Sequence, residues 1–219
     1  IGRQIKDLAP DVIIITTPHG PAYSDYIHIS SKQIMKGSFK MFGAPEVALE
    51  FDTEKKLIDA IIDRAESCGI EAGSEGTQNY ELDHGSLIPL YFISQYYHDF
   101  TVVRISISGH SLEQLYTFGN CIQKAVSDYD KNVVFIASGD LSHRLKEDGP
   151  YGFAPEGPRF DEYIINAVKN SDFKKLLTID PDFYSKAGEC GLRSFVIMAG
   201  ALNGLAVCSS VMSYEGPFG

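Results

Sequence analysis

The sequence contains no apolar stretch long enough to cross a membrane. Its longest apolar runs, such as Val12–Ile15 and Val196–Leu202, fall well below the roughly 20 residues that a membrane-spanning helix needs. Basic residues are in the minority, with 19 Lys and Arg against 29 Asp and Glu and a formal charge of -10. A protein that binds the phosphate backbone needs a positive surface instead. We therefore expect a soluble protein without membrane or nucleic-acid partners.

The sequence also lacks closely paired cysteines and a recognisable secretion signal. Its four cysteines, Cys68, Cys121, Cys190 and Cys208, show no C-x-x-C spacing. No basic segment followed by an apolar segment opens the chain. This pattern favours reduced thiols and a cytoplasmic location.

Several common catalytic motifs are missing as well. There is no P-loop, no G-x-S-x-G and no H-E-x-x-H, so the enzyme classes that carry these motifs are disfavoured. The glycines of Gly69–Gly76 follow a helical pattern rather than a strand, which is the wrong context for a dinucleotide-binding loop. A zinc hydrolase whose ligands are scattered along the chain stays open as an alternative.

The patterns that are present indicate one α/β domain over residues 1–219. Short, β-branched, apolar segments predict buried parallel strands at Asp11–Thr17, Thr101–Ser108 and Asn132–Ser138, and a last strand at Leu205–Ser213. Helical patterns cover Thr53–Cys68, Gly85–Tyr97, Ser111–Asp128, Asp161–Val168, Asp172–Leu177 and Glu189–Leu202. Strands that alternate with helices predict a layered, largely parallel sheet with helices on both faces.

Histidines follow each of the first three predicted strands. His19 and His110 come two residues after a strand ends, and His143 comes five residues after. Ligands of an open parallel sheet bind beyond the carboxyl ends of its strands, so we expect these imidazoles to meet in one crevice. His84, at the start of the Gly85–Tyr97 helix, is expected to face the same edge.

Imidazoles that gather near a carboxylate are typical of a metal or proton-transfer site. A single histidine after a strand is more often a loop residue bonded to the backbone, so the prediction depends on convergence. His28 and His98 lack that context and are interpreted as structural or exposed. The Pro- and Gly-rich segment Leu145–Phe160 predicts a long surface loop and a candidate lid. Tyrosines that could line a ring pocket are Tyr23, Tyr26, Tyr80 and Tyr151.

Four segments spread over nearly the whole chain form an ordered pattern. They are Asp11–His19, Leu82–Leu90 with its D-H-G-x-x-x-P-L element, Ser138–His143 with its S-G-x-L-S-H element, and the helix Glu189–Leu202. Together they resemble class III extradiol ring-cleavage dioxygenases of the protocatechuate 4,5-dioxygenase type. The sequence is also similar to their relatives, the Memo-type proteins and the AmmeMemoRadiSam system protein B.

The resemblance implies an open α/β fold that binds Fe(II) through two histidines and a carboxylate, with open positions for a catechol-type aromatic substrate and O2. By position, His19 matches the second iron ligand, and His143 matches the acid/base that takes a proton from the substrate. His84 matches a pocket histidine that hydrogen-bonds substrate or oxygen. Asp140 and Ser142 are candidate orienters of the His143 ring. Asp140 and His110 are candidate substrate-binding residues.

The metal ligands depart from the family pattern at two points. The first iron histidine of the family lies on an N-terminal strand, which is expected upstream of Ile1. The family's glutamate aligns with Gly191, whereas Glu189 stands two residues earlier and Cys190 matches a cysteine of the Memo-type relatives. We assign Glu189 because a hard carboxylate suits Fe(II), with Cys190 as the softer alternative ligand and zinc or copper as alternative metals.

Four functional hypotheses follow from these observations. The first is an Fe(II)-dependent extradiol dioxygenase, and the second is a Memo-like metal-binding or redox accessory protein without ring cleavage. The third is a metal-dependent hydrolase that uses the same crevice, and the fourth is a partner-binding domain whose histidines are structural. Members of the family pair with themselves or with a second subunit, so a homo-oligomer or a second subunit is an expected partner.

Overall fold

The computed structural model describes residues 1–76 and 81–217. In chain order, its strands are β1 (Val12–Thr17), β2 (Ile27–His28), β3 (Ile34–Phe39), β4 (Ala44–Asp52), β5 (Ala72–Gly73), β6 (Thr101–Ser106) and β7 (Val133–Ala137). Its α-helices are α1 (Gly2–Leu8), α2 (Lys55–Ser67), α3 (His84–Ser94), α4 (Leu112–Ser127), α5 (Glu156–Lys169), α6 (Pro181–Ala187) and α7 (Leu192–Ala201). Short 3-10 helices cover Lys40–Phe42 and Phe173–Thr178. Tyr80, a predicted pocket residue, lies outside the described residues.

The central sheet has the order β6-β1-β7, and all its strands are parallel. Strand β1 pairs with β6 from Val12 opposite Thr101 and with β7 from Val12 opposite Val133. The three predicted parallel strands are therefore confirmed, with small differences at their ends. All three strands end at one edge, which is the edge that the predicted site requires.

Helices cover both faces of this sheet, as predicted. Residues that alternate along β1 pack into two separate cores, because successive side chains of a strand point to opposite faces. Val12 and Ile14 pack in the core that includes α2, α4, α5 and α7. Ile13 and Ile15 pack in the second core, with α1, α3 and β4. A strand buried on both faces is mostly apolar along its length, which explains the apolar run Val12–Ile15 that helped to predict it.

Helix α4 begins as the sequence predicts. The Ser111 hydroxyl accepts a hydrogen bond from the Gln114 amide at 3.2 Å, and the Gln114 side chain accepts one from the Ser111 amide at 3.0 Å. This capping box satisfies two amides that the first turn of a helix leaves unpaired. Helix α4 then packs closely against α7, with Gly119 facing the backbone of Ile197 and Gly200.

The predicted strand at Leu205–Ser213 is wrong. Residues 203–217 run as an irregular, largely exposed segment. It is attached by side chains rather than by a ladder, because the Ser209 hydroxyl bonds the Val168 carbonyl and the Ser171 hydroxyl. A β-prone segment becomes a strand only where it meets a sheet edge, and no sheet pairs with this segment in the described structure.

Other elements extend or shift the sequence prediction. The antiparallel hairpin β3–β4 was not predicted, and neither were helices α1 and α6. The hairpin stands outside the central sheet, and its turn ends at Gly43 with φ of 79°. Helix α5 begins at Glu156, so it takes in the last part of the loop predicted at Leu145–Phe160. Among the described residues, every helix is too short or too polar to span a membrane.

Candidate functional site

Three potential metal-binding side chains meet beyond the carboxyl end of β7. Asp140, His143 and Cys190 each place one ligand atom within 4.8 Å of the other two. His143 Nε2 lies 3.2 Å from Asp140 Oδ2 and 3.9 Å from Cys190 Sγ. Carboxylate, imidazole and thiolate are all ligands of divalent metals. Within residues 1–76 and 81–217, this is the one such group of three or more side chains.

Two turns far apart in the chain build this cluster. The carbonyl of Asp140 accepts hydrogen bonds from the amides of Cys190 and Gly191, at 3.3 and 2.9 Å. Gly139 has φ of 150°, and a Cβ on it would overlap the Cα of Gly191. Only two glycines allow the backbones to approach so closely. The contact explains why Asp140 and His143 of one segment reach Cys190 of another.

A second pair of imidazoles lies at the same edge. The rings of His19 and His84 are 3.9 Å apart between centroids, with an angle of 31° between their planes. His19 follows β1, and His84 begins α3, whose N-cap is Asp83. The Asp83 carboxylate accepts hydrogen bonds from the Thr17 hydroxyl at 2.5 Å and from the Ser86 amide at 3.1 Å. Thr17 is the last residue of β1, so this contact ties the start of α3 to the strand that carries His19.

Asp83 also faces a buried cation. Arg104 is 1% exposed, and its Nη1 atom lies 3.7 Å from Asp83 Oδ2 and 2.6 Å from the Glu81 carbonyl. Burial lowers the pKa of Arg104, and Asp83 counters that effect. A buried charge needs such compensation to be stable. Asp83 therefore links β1, β6 and α3 beneath the pair of imidazoles.

The electrostatics connect His19 to both groups. The pKa of His19 is lowered mainly by burial, and the charges of His84 and His143 lower it further. The carboxylates of Asp83 and Asp140 raise this pKa and partly offset the effect. Asp140 and His143 are thus close enough to act on the His19 ring. A lowered pKa keeps the imidazole neutral near pH 7, which is the form that binds a metal.

Cys190 is a protonated thiol in the absence of a cation. Burial raises its pKa to about 11, while the hydrogen bond from the Asp140 amide acts in the opposite direction. A nearby divalent cation favours the thiolate and displaces the proton. The thiol is therefore suited to metal binding, although it is a poor nucleophile at neutral pH.

Glu189 is directed to the start of α7. Its Oε2 atom accepts a hydrogen bond from the Leu192 amide at 2.6 Å. Burial raises the pKa of Glu189, and the Leu192 amide, Arg193 and His143 lower it. Glu189 is therefore near His143. However, the side chain whose ligand atom lies close to those of both Asp140 and His143 is Cys190, not Glu189.

The other predicted residues lie in different surroundings. His110 is buried, with Nδ1 2.8 Å from the Ser108 hydroxyl, and its carbonyl accepts a hydrogen bond from Arg193 at 2.6 Å. His28 is fully buried, and its interpretation as a structural residue stays a prediction. The Tyr26 hydroxyl accepts a hydrogen bond from the Glu75 amide at 2.8 Å, so this hydroxyl is bonded to the backbone.

A cavity of about 640 Å³ opens beside His19 and His84. Tyr23, Lys40 and Arg104 are among the residues that line it. Tyr151, from the loop predicted as a lid, stacks on the His143 ring with centroids 5.2 Å apart. The cavity is within the usual size range for a small-molecule site. It therefore offers room for a single aromatic ring next to the histidines.

Three residues of this region were not predicted from the sequence as functional. Asp83 stands next to His84, and its position three residues before Ser86 is a cue for a helix cap. Asp161 and Tyr214 carry no motif. Asp161 is the first residue of a predicted helix, and Tyr214 directly follows the segment Leu205–Ser213 that was predicted as a strand.

The fold and the site together define a class of protein. A parallel α/β sheet carries imidazole, thiol and carboxylate groups at the carboxyl ends of its strands, next to a cavity, which is the architecture of an α/β protein with a metal-type site. The chain belongs to the LigB family, because the family model described as the catalytic LigB subunit of aromatic ring-opening dioxygenase matches residues 1–219. It is thus a member of the dioxygenase superfamily, whose enzymes are generally metal-dependent.

Three curated relatives are similar to the chain. Protein CA_C1420 of Clostridium acetobutylicum is 42% identical over 226 residues, covering 100% of this chain and 48% of the relative. The 3,4-dihydroxyphenylacetate 2,3-dioxygenase of Escherichia coli is 26% identical, covering 92% and 77%. The 2-aminophenol 1,6-dioxygenase beta subunit of a Pseudomonas species is 21% identical, covering 84% and 66%. The chain spans about half the length of the first of these relatives.

Proposed function

We propose that the protein is a non-haem Fe(II)-dependent extradiol dioxygenase that opens a catechol-type aromatic ring with dioxygen. The observation that supports this proposal is the pair of His19 and His84, whose ring centroids are 3.9 Å apart, beside a cavity of about 640 Å³ and at the sheet edge where the strand before His143 also ends. Two of the relatives are named as dioxygenases of 3,4-dihydroxyphenylacetate and 2-aminophenol. Both are aromatic rings with two adjacent polar substituents, a substrate type that fits such a cavity.

The donor set fits a divalent metal. His19 has a lowered pKa and supplies a neutral imidazole. Glu189 is a half-buried carboxylate whose pKa is raised mainly by desolvation, and the charge of a bound cation compensates for this desolvation. We propose His19 and Glu189 as ligands, with Cys190 as the alternative to Glu189. Bound Fe(II) supplies Lewis acidity toward the two substrate oxygens and the electrons that activate dioxygen.

The chain's own residues would handle the proton and the fit of the ring. His143 is proposed to accept a proton at Nδ1 from a substrate hydroxyl, as a general base. Asp140 Oδ2 lies 3.2 Å from Nε2, so the carboxylate accepts a hydrogen bond from an Nε2–H group and selects the tautomer in which Nδ1 is basic. His84 is proposed to hydrogen-bond the bound substrate or oxygen. Tyr151 stacks on one face of the His143 ring, so the substrate is proposed to approach from elsewhere. Asp140 and His110 remain proposed contacts for the substrate.

The experiment is oxygen uptake by the full-length protein after anaerobic loading with Fe(II). The substrate panel includes catechol, protocatechuate, 3,4-dihydroxyphenylacetate and 2-aminophenol. We expect oxygen uptake and a ring-opened product with at least one of them, and a loss of about 100-fold or more in kcat for His143→Ala. Oxygen uptake by none of the panel, with iron bound at stoichiometric level, would overturn the proposal.

The Asp140, His143 and Cys190 cluster favours a second candidate function. A thiol among the closest ligand atoms is softer than the donor set that Fe(II) oxygenases use, and it suits copper or zinc. The protein would then be a Memo-like metal-binding or redox accessory protein without ring cleavage. Tight binding of copper or zinc that depends on Cys190, together with no oxygen uptake, would support this candidate over the first.

The proposed partners are a small aromatic substrate and dioxygen. One relative is named as a beta subunit, and the family description also refers to a subunit. These names support a homo-oligomer or a second subunit as a partner of this chain. Light scattering of the purified protein, alone and at several concentrations, would show whether it associates with itself.

A further inference from the structure

His143 lies on a turn outside any helix or strand. Residues 138–143 follow β7 without helix or strand. The His143 amide donates to the Gly188 carbonyl at 3.1 Å, but one backbone bond does not fix the direction of a side chain. The ring itself contacts Asp140 and Tyr151, and the position of the backbone that carries it depends on the contacts of its neighbour, Ser142.

Ser142 is held at three points. Its amide donates to Asp161 Oδ1 at 2.8 Å, and its hydroxyl donates to the Ala187 carbonyl at 2.7 Å. The same hydroxyl accepts a hydrogen bond from the Arg144 amide at 2.9 Å. Ser142 is only 6% exposed, so water does not replace these bonds easily. The two neighbours of His143 in the sequence, Ser142 and Arg144, are thus hydrogen-bonded to each other.

Asp161 carries this arrangement into the protein interior. It lies on α5 and is 1% exposed. While Oδ1 accepts the Ser142 amide, Oδ2 accepts the Tyr214 hydroxyl at 2.6 Å. Both carboxylate oxygens are therefore used, one toward the turn of His143 and one toward the C-terminal segment. His143 also lowers the pKa of Asp161 through its charge.

Tyr214 belongs to the irregular segment 203–217, which we call the C-terminal strap. Ser209 joins the strap to α5 through the Val168 carbonyl and to the turn after α5 through the Ser171 hydroxyl. The strap is joined to the loop after His143 by Lys146, whose Nζ donates to the Pro217 carbonyl at 3.0 Å. The strap therefore spans from the far end of α5 to the segment next to the site, with Tyr214 between these anchors.

We infer that Asp161 is a positioning residue for His143, and that Tyr214 locks it from the C-terminal strap. The chain of contacts runs from the Tyr214 hydroxyl through the Asp161 carboxylate to the Ser142 amide, and the next residue is His143. This inference rests on the proposed function for its catalytic consequence. The placement of the His143 ring itself can be measured without metal or substrate.

The first experiment uses Asp161→Asn and Tyr214→Phe in the full-length protein. In Asp161→Asn, the side-chain oxygen still accepts the Ser142 amide, but the amide nitrogen can only donate to the Tyr214 oxygen, so the bond that the Tyr214 hydroxyl donates to a carboxylate is lost. Tyr214→Phe removes the same bond from the other side. The matched control is Tyr163→Phe, because Tyr163 also lies on α5 and donates its hydroxyl to a carbonyl, that of Lys175, at 2.8 Å.

The readout is the nitrogen chemical shifts of the histidine rings, measured by NMR on the metal-free protein. We expect Asp161→Asn and Tyr214→Phe to shift or broaden the His143 ring signals and to leave those of His98 unchanged. Tyr163→Phe should leave both unchanged. Unchanged His143 signals in a folded Asp161→Asn or Tyr214→Phe protein would overturn the inference. An equal change in the Tyr163→Phe control would overturn it as well.

A second readout separates positioning from general stability. In the iron-loaded protein, we expect kcat to fall about tenfold for both variants with little change in KM, because a displaced base impairs the proton transfer more than substrate binding. If Asp161→Asn does not fold, Tyr214→Phe alone decides, since it removes one hydroxyl from a half-exposed ring. If the wild-type protein opens no ring, the proposed function fails, while the NMR result still decides the role of Asp161.

Discussion

The Sγ atom of Cys190 accepts a hydrogen bond from the backbone amide of Asp140 at 3.1 Å, across 50 residues of sequence. The bond joins the turn that carries His143 to the turn that precedes α7. It also places a thiol, rather than the nearby Glu189 carboxylate, beside the His143 ring. For the proposed metal site, the choice of metal depends on whether Glu189 or Cys190 is the ligand.

Metal affinity distinguishes the two assignments. If Cys190 is the ligand, Cys190→Ser should weaken zinc binding at least about tenfold, and Glu189→Gln should have a smaller effect. If Glu189 is the ligand, the order reverses and is most evident with Fe(II). Competition with a chromophoric chelator measures both affinities. Cys208→Ser is the control, because Cys208 is exposed. Equal affinities for wild type and both variants would contradict both assignments.

The pH dependence of metal binding tests Cys190 independently. Its pKa of about 11 means that the thiol carries a proton at neutral pH. A metal that binds the thiolate must release this proton, so affinity should rise as pH rises, by up to about tenfold per pH unit. His19, with its lowered pKa, is already neutral there and adds little to the slope. Zinc titrations between about pH 7 and 9 measure the slope, which Cys190→Ser should reduce. A slope that is the same in wild type and Cys190→Ser would show that the thiol is not a ligand.

Asp83 should be important for stability. Its replacement by Ala leaves Arg104 buried without its carboxylate partner, and breaking a buried ion pair costs about 3 kcal/mol. The loss of the α3 cap adds to this cost. Urea denaturation measures the free energy of unfolding. The control is Asp59→Ala, which removes an exposed ion pair with Lys55 and should cost about 0.5 kcal/mol or less. Similar costs for the two variants would argue against compensation of Arg104 by Asp83.

Gly119→Ala should destabilise the contact between α4 and α7. A Cβ at this position would overlap the Ile197 carbonyl and the Gly200 Cα, so the helices must separate. We expect a loss of about 1–3 kcal/mol in the free energy of unfolding, which is typical of overpacking. Ser127→Ala, on the exposed end of the same helix, is the control. A Gly119→Ala protein as stable as wild type would mean that the two helices are not as close as the structure places them.

The parallel strands and the start of α4 followed from local sequence. The apolar, β-branched run at Val12–Thr17 leaves no polar face, so it had to be buried on both sides. The start of α4 was fixed by Ser111 and Gln114, which bond each other's backbone. The strand predicted at Leu205–Ser213 failed because β-propensity states what a segment can do and not whether a sheet edge is available to it.

By itself, the sequence determined that one α/β unit carries histidines after successive parallel strands, since strand direction alone sends them to one edge. Only the tertiary structure decided which groups meet there. Cys190 reaches His143 because Gly139 and Gly191 let two distant turns touch, and Asp161 reaches Ser142 because α5 packs beside them. Such contacts depend on the path of the whole chain. A hydrogen bond needs its two atoms within about 3 Å of each other, and the spacing of residues in the sequence does not determine distances that precisely.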